Sequence, residues 1–132
     1  MISGIDHIGI AVKSLEERIP LYRDVLGLGE PKIEVVPEQK VRVAVFPTDH
    51  GRIELLEPTS PESPIALFIE KKGEGIHHVA LGTDDIRSQI AGVDDAGLRM
   101  IDAEPRGGAG GAQIAFVHPK STGSVLLEFC ER

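Results

Sequence analysis

The segment GEGIHHVALGTDD, residues 73–85, decides the fold, because an earlier segment, SGIDHIGIAVKS, residues 3–14, repeats its pattern. Gly4 corresponds to Gly75 and His7 to His78, at a constant offset of 78 − 7 = 71. Each copy continues from an apolar run into a helix-like segment that ends at a Gly-Leu pair, residues 27–28 and 97–98. Self-similarity at a fixed spacing is typical of a duplicated structural unit. The sequence therefore predicts two related modules.

Three apolar or alternating runs follow each predicted helix, separated by Pro, Gly and polar turn residues. They are KIEVVP (32–37), KVRVAVFP (40–47) and GRIELLEP (51–58), and then RMIDAEP (99–105), AQIAFVHP (112–119) and GSVLLEFCE (123–131). Such runs predict strands, so each half has the order β-α-β-β-β. Between the halves, PIALFIEKK (64–72) predicts a short helix that begins at Pro64.

Each half is short for a self-sufficient core, so we expect one domain over residues 1–132. Module one would span residues 1–58, a connecting segment residues 59–74, and module two residues 75–132. The predicted fold class is α+β. The two tandem βαβββ modules would form one curled eight-stranded mixed sheet around a metal-binding cleft.

Composition excludes several classes of partner. A formal net charge of −7 argues against nucleic acid. The apolar runs are far too short to cross a bilayer, and the first residues lack the basic start of a secretory signal, so no membrane partner is expected. The single cysteine, Cys130, cannot form an internal disulfide, which fits a reducing compartment. We expect a cytoplasmic protein.

The repeat separates the two adjacent histidines at positions 77 and 78. Successive side chains of a strand point to opposite faces, so His77 and His78 cannot face the same site. His78 corresponds to His7, whereas His77 corresponds to Asp6. Small residues follow both repeat-related histidines on their own face, which leaves room above the sheet. We therefore expect His7 and His78 to face the site and His77 to face away.

Two carboxylates occupy matched positions in the last strand of each module. Glu54 lies in RIELLEP and Glu128 in SVLLEFCE, at an offset of 128 − 54 = 74. A carboxylate inside an apolar strand is costly unless it is paired or bound to a metal. With His7 and His78 they form a mixed donor set that fits an octahedral divalent ion. The donors alone leave Co²⁺, Mn²⁺, Ni²⁺, Fe²⁺ and Mg²⁺ open. The ion that we expect is Co²⁺, with Mn²⁺, Ni²⁺, Mg²⁺ or Zn²⁺ as alternatives.

Weaker signals lie in the turns. The glycine-rich PRGGAGGAQ, residues 105–113, is either a flexible loop over the cleft or a simple hairpin connection. Lys120 and Ser121 precede the strand that carries Glu128 and could hold an anionic substrate group, although a solvated turn is the alternative. With Gln39, they are the candidate substrate-binding residues.

These motifs resemble the vicinal oxygen chelate superfamily and, within it, the methylmalonyl-CoA epimerase family. The resemblance runs along nearly the whole chain and is most specific in GEGIHHVA (73–80) and HPKSTGSVLLE (118–128). It implies metal ligands at His7, Glu54, His78 and Glu128, the set that the repeat selects independently. It also implies an acyl-CoA substrate and a homodimer.

The implied reaction interconverts the (2R) and (2S) forms of methylmalonyl-CoA through an enolate that a divalent ion stabilises. Glu128 is the expected acid/base on one face of the substrate. Relatives with two acidic residues carry the second on the strand that corresponds to EQKVRVAV, where this chain has Val43. The second acid/base is therefore unassigned.

Two alternatives remain open. Glyoxalase I isomerises a glutathione hemithioacetal at the same kind of four-ligand metal site. A non-catalytic binding protein of this fold, such as those that sequester metallated antibiotics, belongs to a different class. Four intact candidate ligands argue against the binding protein, and the two most specific motifs favour the epimerase over glyoxalase I.

Overall fold

The computed structural model describes residues 1–132 and contains eight strands and three α-helices. The strands are β1 (Ile2–Ala11), β2 (Lys32–Val36), β3 (Val41–Thr48), β4 (Gly51–Pro58), β5 (Gly75–Thr83), β6 (Arg106–Gly107), β7 (Gln113–Val117) and β8 (Leu127–Glu131). The helices are α1 (Leu15–Pro20), α2 (Pro64–Lys72) and α3 (Ile86–Asp95). The predicted α+β class, an eight-stranded mixed sheet made of two βαβββ modules, is confirmed. None of the three helices has the length and apolar character that a membrane span requires.

The chain divides into two compact units, which we call the first and second units. The first is His7–His77, and the second is Met1–Asp6 together with His78–Arg132. The predicted domain and module boundaries stay a prediction, since these units follow the packing of the chain and cut through β1 and β5.

In the first unit the strand order is β2-β3-β4-β1. β1 runs parallel to β4, and the other two pairs are antiparallel. A buried apolar cluster fills the space between α1 and one face of these strands; it comprises Val12, Leu15, Ile19, Ala44, Phe46 and Leu55. Because alternate residues of a strand point to opposite faces, His7 and Glu54 project from the face that this cluster does not occupy.

The second unit repeats this arrangement with the order β5-β8-β7-β6. β5 runs parallel to β8, and β7 is antiparallel to both its neighbours. The core under α3 comprises Ile86, Ala115, Val117 and Phe129. Within this unit, the guanidinium of Arg132 donates two hydrogen bonds to the carboxylate of Asp6, at 3.0 and 2.8 Å.

Each module helix is capped by a carboxylate from its own module's last strand. Glu57 on β4 accepts a hydrogen bond from the backbone N–H of Leu15 at 2.8 Å, and Glu131 on β8 accepts one from Ile86 at 2.7 Å. These acceptors lie 131 − 57 = 74 residues apart, the same offset as Glu54 and Glu128. A carboxylate satisfies the free N–H groups of a helix N-terminus and complements its dipole. One strand in each module therefore orders a helix on one face and carries a site carboxylate on the other.

Both helical segments end as the sequence predicts. Gly27 and Gly97 adopt left-handed backbone angles, with φ of 73° and 74°, which terminate a helix at low cost. The first segment is less regular, because Pro20 has no N–H to donate. After it the chain widens into a π-helical turn, Leu21–Val25.

The predicted strand at residues 99–105 is wrong. Met100 makes only an isolated bridge to Val117, and the short strand β6 begins after Pro105. The carboxylate of Asp102 accepts the N–H of Phe116 at 2.8 Å, where a strand would present a backbone carbonyl. This bond occupies the N–H of Phe116, and Pro105 has no N–H to donate. Regular strand pairing therefore does not form over residues 99–105.

The glycine-rich segment is a hairpin connection between β6 and β7, the second of its two sequence interpretations. It contains a short 3₁₀ turn, Ala109–Gly111. A side chain at Gly108 would place its Cβ 2.8 Å from a side-chain carbon of Ile114, so Ile114 would have to shift to accommodate any larger residue there.

Glu74 gives a prediction about stability. Its carboxylate accepts the N–H of Lys13 at 2.7 Å and pairs with Arg18 at 2.6 Å, and these two contacts hold the pKa of Glu74 below its usual range. A carboxylate whose pKa is lower in the folded state than in the unfolded state stabilises the folded protein at pH values above the unfolded-state pKa. This stabilisation is lost as the pH falls through the folded-state pKa. We expect Glu74→Gln to lower the free energy of unfolding by roughly 1 kcal/mol at pH 7.

The measurement is urea unfolding of wild type and Glu74→Gln between pH 7 and pH 3. The difference should shrink towards zero as the pH falls below about 4. Glu70→Gln, at an exposed position of α2, is the matched control and should be neutral. A difference that does not vary with pH would contradict this role of Glu74.

Candidate metal centre

The first unit brings His7 and Glu54 together. Nδ1 of His7 lies 3.5 Å from Oε2 of Glu54, and the two residues are each only 4% exposed. The parallel register of β1 and β4 explains the contact, because Glu54 lies opposite Gly9, two residues after His7 on the same face. Glycine at this position leaves the space into which both side chains extend.

The second unit builds the same pair from His78 and Glu128. Nε2 of His78 lies 3.6 Å from Oε2 of Glu128, and the two residues are 5% and 3% exposed. Glu128 lies opposite Ala80, again two residues after the histidine on a parallel neighbour. The ring of Phe116 contacts His78 edge-on, with centroids 5.4 Å apart, which limits the rotation of the imidazole. The repeat is therefore preserved in register, distance and burial.

His77 has a different environment from His78. Its ring packs edge-on against Phe68 of α2, with centroids 5.1 Å apart. Burial, with a smaller contribution from the nearby Lys72, lowers the pKa of His77 to about 4. A neutral imidazole that packs on an aromatic ring agrees with the expectation that His77 faces away from the site.

The chemistry of these donors fits a divalent cation. Buried imidazole and carboxylate groups are ligands for Co²⁺, Mn²⁺, Ni²⁺, Fe²⁺ and Zn²⁺, and carboxylates also bind Mg²⁺. In the second unit, His78 and Glu128 belong to a buried group whose ligand atoms lie close enough to hold one ion. A single His–Glu pair supplies only two ligands, fewer than the three or four protein ligands of typical sites.

The candidate substrate-binding residues are not buried. Gln39 ends a short 3₁₀ turn, Pro37–Gln39, and is half-buried. Lys120 is exposed in the turn Pro119–Ser121. The hydroxyl of Ser121 accepts the N–H of Arg99 at 2.8 Å and donates to its carbonyl at 3.2 Å, which ties this turn to residue 99. Substrate binding by these three residues stays a prediction.

Val43 is buried on β3, 2% exposed, so the position holds no ionisable group and little water. It lies opposite Glu34 on β2, a carboxylate that sequence analysis did not single out. Arg52 on β4 was also missed; it lies opposite His7 and is half-buried. Only the register between strands places these two side chains on the face of Glu54, and one sequence does not specify that register.

Comparison with known proteins places residues 6–116 in a family model described as the glyoxalase/bleomycin resistance protein/dioxygenase superfamily. An uncharacterized protein of Bacillus subtilis, YqjC, is 45% identical over 98% of this chain and 93% of its own length.

Two solved structures match nearly the whole chain. A hypothetical protein from Bacillus halodurans is 50% identical, with a TM-score of 0.94 over 97% of this chain and 93% of that one. A variant of Streptomyces coelicolor methylmalonyl-CoA epimerase in complex with 2-nitronate-propionyl-CoA is 38% identical, with a TM-score of 0.94 over 99% of this chain and 95% of that one.

The histidines give a prediction about metal affinity. His78→Ala removes a buried nitrogen donor, so it should weaken Co²⁺ binding by about 10-fold or more, since even loss of a group that only supports a ligand has an effect of that size. His77→Ala removes a ring contact with Phe68 and should leave the affinity within about 2-fold, because no proposed ligand is lost.

Isothermal titration of each purified variant with Co²⁺ measures this difference, and far-UV circular dichroism checks that both variants are folded. Equal losses in the two variants would mean that the repeat assigns the wrong histidine.

Proposed function

This chain belongs to the glyoxalase/bleomycin resistance protein/dioxygenase superfamily, and we propose that it is a metal-dependent methylmalonyl-CoA epimerase, an isomerase. The observation that carries the proposal is the pair of repeat-related, buried His–Glu contacts, His7–Glu54 and His78–Glu128. The similarity to a methylmalonyl-CoA epimerase that binds a CoA thioester analogue supports the choice of substrate. The proposal extends to one divalent ion, Co²⁺ first, with all four side chains as its ligands.

The reaction explains why such a donor set is needed. The C–H bond to be inverted lies between a carboxylate and a thioester carbonyl, and its cleavage produces an enolate. A divalent ion supplies electrostatic stabilisation to the negative charge on the thioester oxygen. The side chains that would hold this ion are His7, Glu54, His78 and Glu128, a donor set that suits a divalent cation. The protein itself holds these ligand side chains in place and transfers the protons.

Glu128 is the proposed acid/base on one face of the substrate. When its carboxylate removes the α-proton, the C–H bond breaks, an O–H bond forms, and the electron pair moves into the thioester carbonyl. Return of a proton to the opposite face completes the inversion. Contact with His78 and burial against β5 and β7 hold Glu128 in one orientation, as a positioned acid/base requires.

The remaining assignments are part of the same proposal. The substrate is a small acyl-CoA, and Lys120, Ser121 and Gln39 bind its anionic and polar groups. Of these, Lys120 has an exposed ammonium group suited to a phosphate or carboxylate, whereas the Ser121 hydroxyl already bonds to the backbone of Arg99. We propose a homodimer in the cytoplasm, with the single cysteine as the support for a reducing compartment.

The variant Glu128→Gln tests the proposal. The amide keeps the shape of the side chain and one oxygen donor, but it cannot accept the proton. We expect measurable Co²⁺ binding with a loss of about 10²-fold or more in the interconversion of (2R)- and (2S)-methylmalonyl-CoA, the usual scale for a positioned acid/base. The measurement is α-deuterium incorporation and epimer ratio in deuterated water, with and without added Co²⁺.

Glu54→Gln is the matched control, since it occupies the equivalent position of the other module. It should lose less activity once the metal is saturating, because Glu54 is proposed only as a ligand. A Glu128→Gln variant that keeps both its metal and near-full activity would restrict Glu128 to a ligand role. Wild-type turnover of a glutathione hemithioacetal, without turnover of methylmalonyl-CoA, would overturn the proposed function in favour of glyoxalase chemistry.

A further inference from the structure

The strands of the second unit carry one permanently charged cation. β5 to β8 contain no lysine and a single arginine, Arg106 on β6. Arg106 lies opposite Ile114, and two residues further along β7 Phe116 lies opposite Glu128. Because opposite residues and residues two apart share a face of a sheet, Arg106 lies on the face that carries His78 and Glu128.

An aromatic ring connects this arginine to the candidate ligands. Cζ of Arg106 lies 5.7 Å from the ring centroid of Phe116, and that centroid lies 5.4 Å from the centroid of the His78 imidazole. The guanidinium is therefore no more than about 11 Å from the imidazole, the sum of these two contact distances. A cation over an aromatic ring is attracted by the electron-rich face of the ring, so Phe116 holds Arg106 and His78 in one contiguous group.

Asp102 fixes the other end of the arginine. Its Oδ1 lies 3.3 Å from Nε of Arg106, and its Oδ2 accepts the backbone N–H of Phe116 at 2.8 Å. Neither terminal nitrogen of the Arg106 guanidinium makes a hydrogen bond within the protein, and the side chain is 37% exposed. The arginine is thus held at Nε and over its ring partner, and its terminal nitrogens are available to bind a carboxylate through two parallel hydrogen bonds.

The proposed substrate brings a negative charge to this face. Its acyl group has a carboxylate on the carbon whose configuration is inverted, and the face already carries the buried carboxylate of Glu128. A guanidinium on the same face offsets the repulsion between the two carboxylates. An anchored carboxylate also restricts the position of the α-carbon bonded to it, which favours a productive orientation.

We propose that Arg106 binds the carboxylate of the acyl group and thereby selects malonyl-type CoA thioesters over thioesters that lack this carboxylate. The proposal rests on the proposed function. Two N–H groups of the guanidinium donate to the two carboxylate oxygens, while Asp102 and Phe116 keep the guanidinium in place. Arg106 is therefore a specificity-determining residue, and Lys120, in the exposed turn Pro119–Ser121, is left for the phosphates of CoA.

Ligand binding to the Co²⁺-loaded protein tests this selectivity without depending on turnover. Malonyl-CoA and acetyl-CoA differ only in the carboxylate, and isothermal titration measures the affinity for each. Arg106→Gln should weaken malonyl-CoA binding by about 10-fold or more, the scale of a hydrogen bond to a charged group. It should leave acetyl-CoA binding within about 2-fold, because no contact to that ligand is lost.

Two further variants serve as controls. Arg106→Lys keeps the charge but loses the planar pair of donors, so its affinity for malonyl-CoA should fall between those of wild type and Arg106→Gln. Arg87→Gln removes an exposed arginine of α3 that pairs with Glu104, and it should match wild type with both ligands. Loss of Co²⁺ binding in both Arg106 variants would indicate a structural role and overturn the proposal.

A thioester without phosphates distinguishes the two anionic parts of the substrate. Malonyl-pantetheine keeps the carboxylate, so Arg106→Gln should weaken its binding by the same factor as for malonyl-CoA. A loss confined to malonyl-CoA would assign Arg106 to the CoA phosphates, and an equal loss with acetyl-CoA would assign it to the structure of the site. Either result overturns the proposal, as does wild-type affinity of Arg106→Gln for malonyl-CoA.

The two proposals can fail separately. If wild type binds malonyl-CoA through Arg106 but does not interconvert the epimers of methylmalonyl-CoA, the proposed function fails and the carboxylate site stands. If wild type interconverts the epimers and Arg106→Gln shows no selective loss, the role of Arg106 is overturned and the proposed function stands.

Discussion

The constraint on which the structure depends is the burial of an imidazole beside a carboxylate between two parallel strands. In each unit the glutamate lies opposite a small residue, Gly9 or Ala80, two positions after the histidine. An isolated buried carboxylate is costly, and two such groups in an apolar sheet need a compensating charge. In the proposed function a divalent ion would supply that charge, which is why the proposal joins both pairs in a single metal centre.

The duplicated strand that carries the glutamate, β4 in one module and β8 in the other, has a different role on each of its faces. Glu54 and Glu128 project to the site face, and three residues later Glu57 and Glu131 accept the first N–H of the module helix on the other face. A shift of this strand by one residue would therefore lose the helix cap and bury the wrong side chains. The helix-capping hydrogen bonds and the proposed metal ligands specify the same register, so fold and candidate site are consistent with each other.

The repeat made most of the fold predictable from sequence, because both copies contain the same strand, helix terminator and acidic strand. Prediction failed at residues 99–105, where the backbone N–H of Phe116 donates to the carboxylate of Asp102 in place of strand pairing, and nothing in the alternation of apolar residues indicates this bond. The His–Glu pairs follow from repeat positions alone. Glu34 and Arg52 do not, since their placement depends on which residues of distant strands lie opposite each other.

Both repeat-related pairs are proposed to bind the same ion, and the number of metal ions bound per chain would show whether they do. Metal-free protein would be titrated with Co²⁺, with the bound metal counted per chain for wild type, His7→Ala and His78→Ala. We expect one tightly bound ion per chain in wild type. We expect a loss of tight binding in each variant, because either substitution removes a proposed ligand from the same ion. Two ions per chain, with one lost in each variant, would contradict it, as would a wild type that binds none.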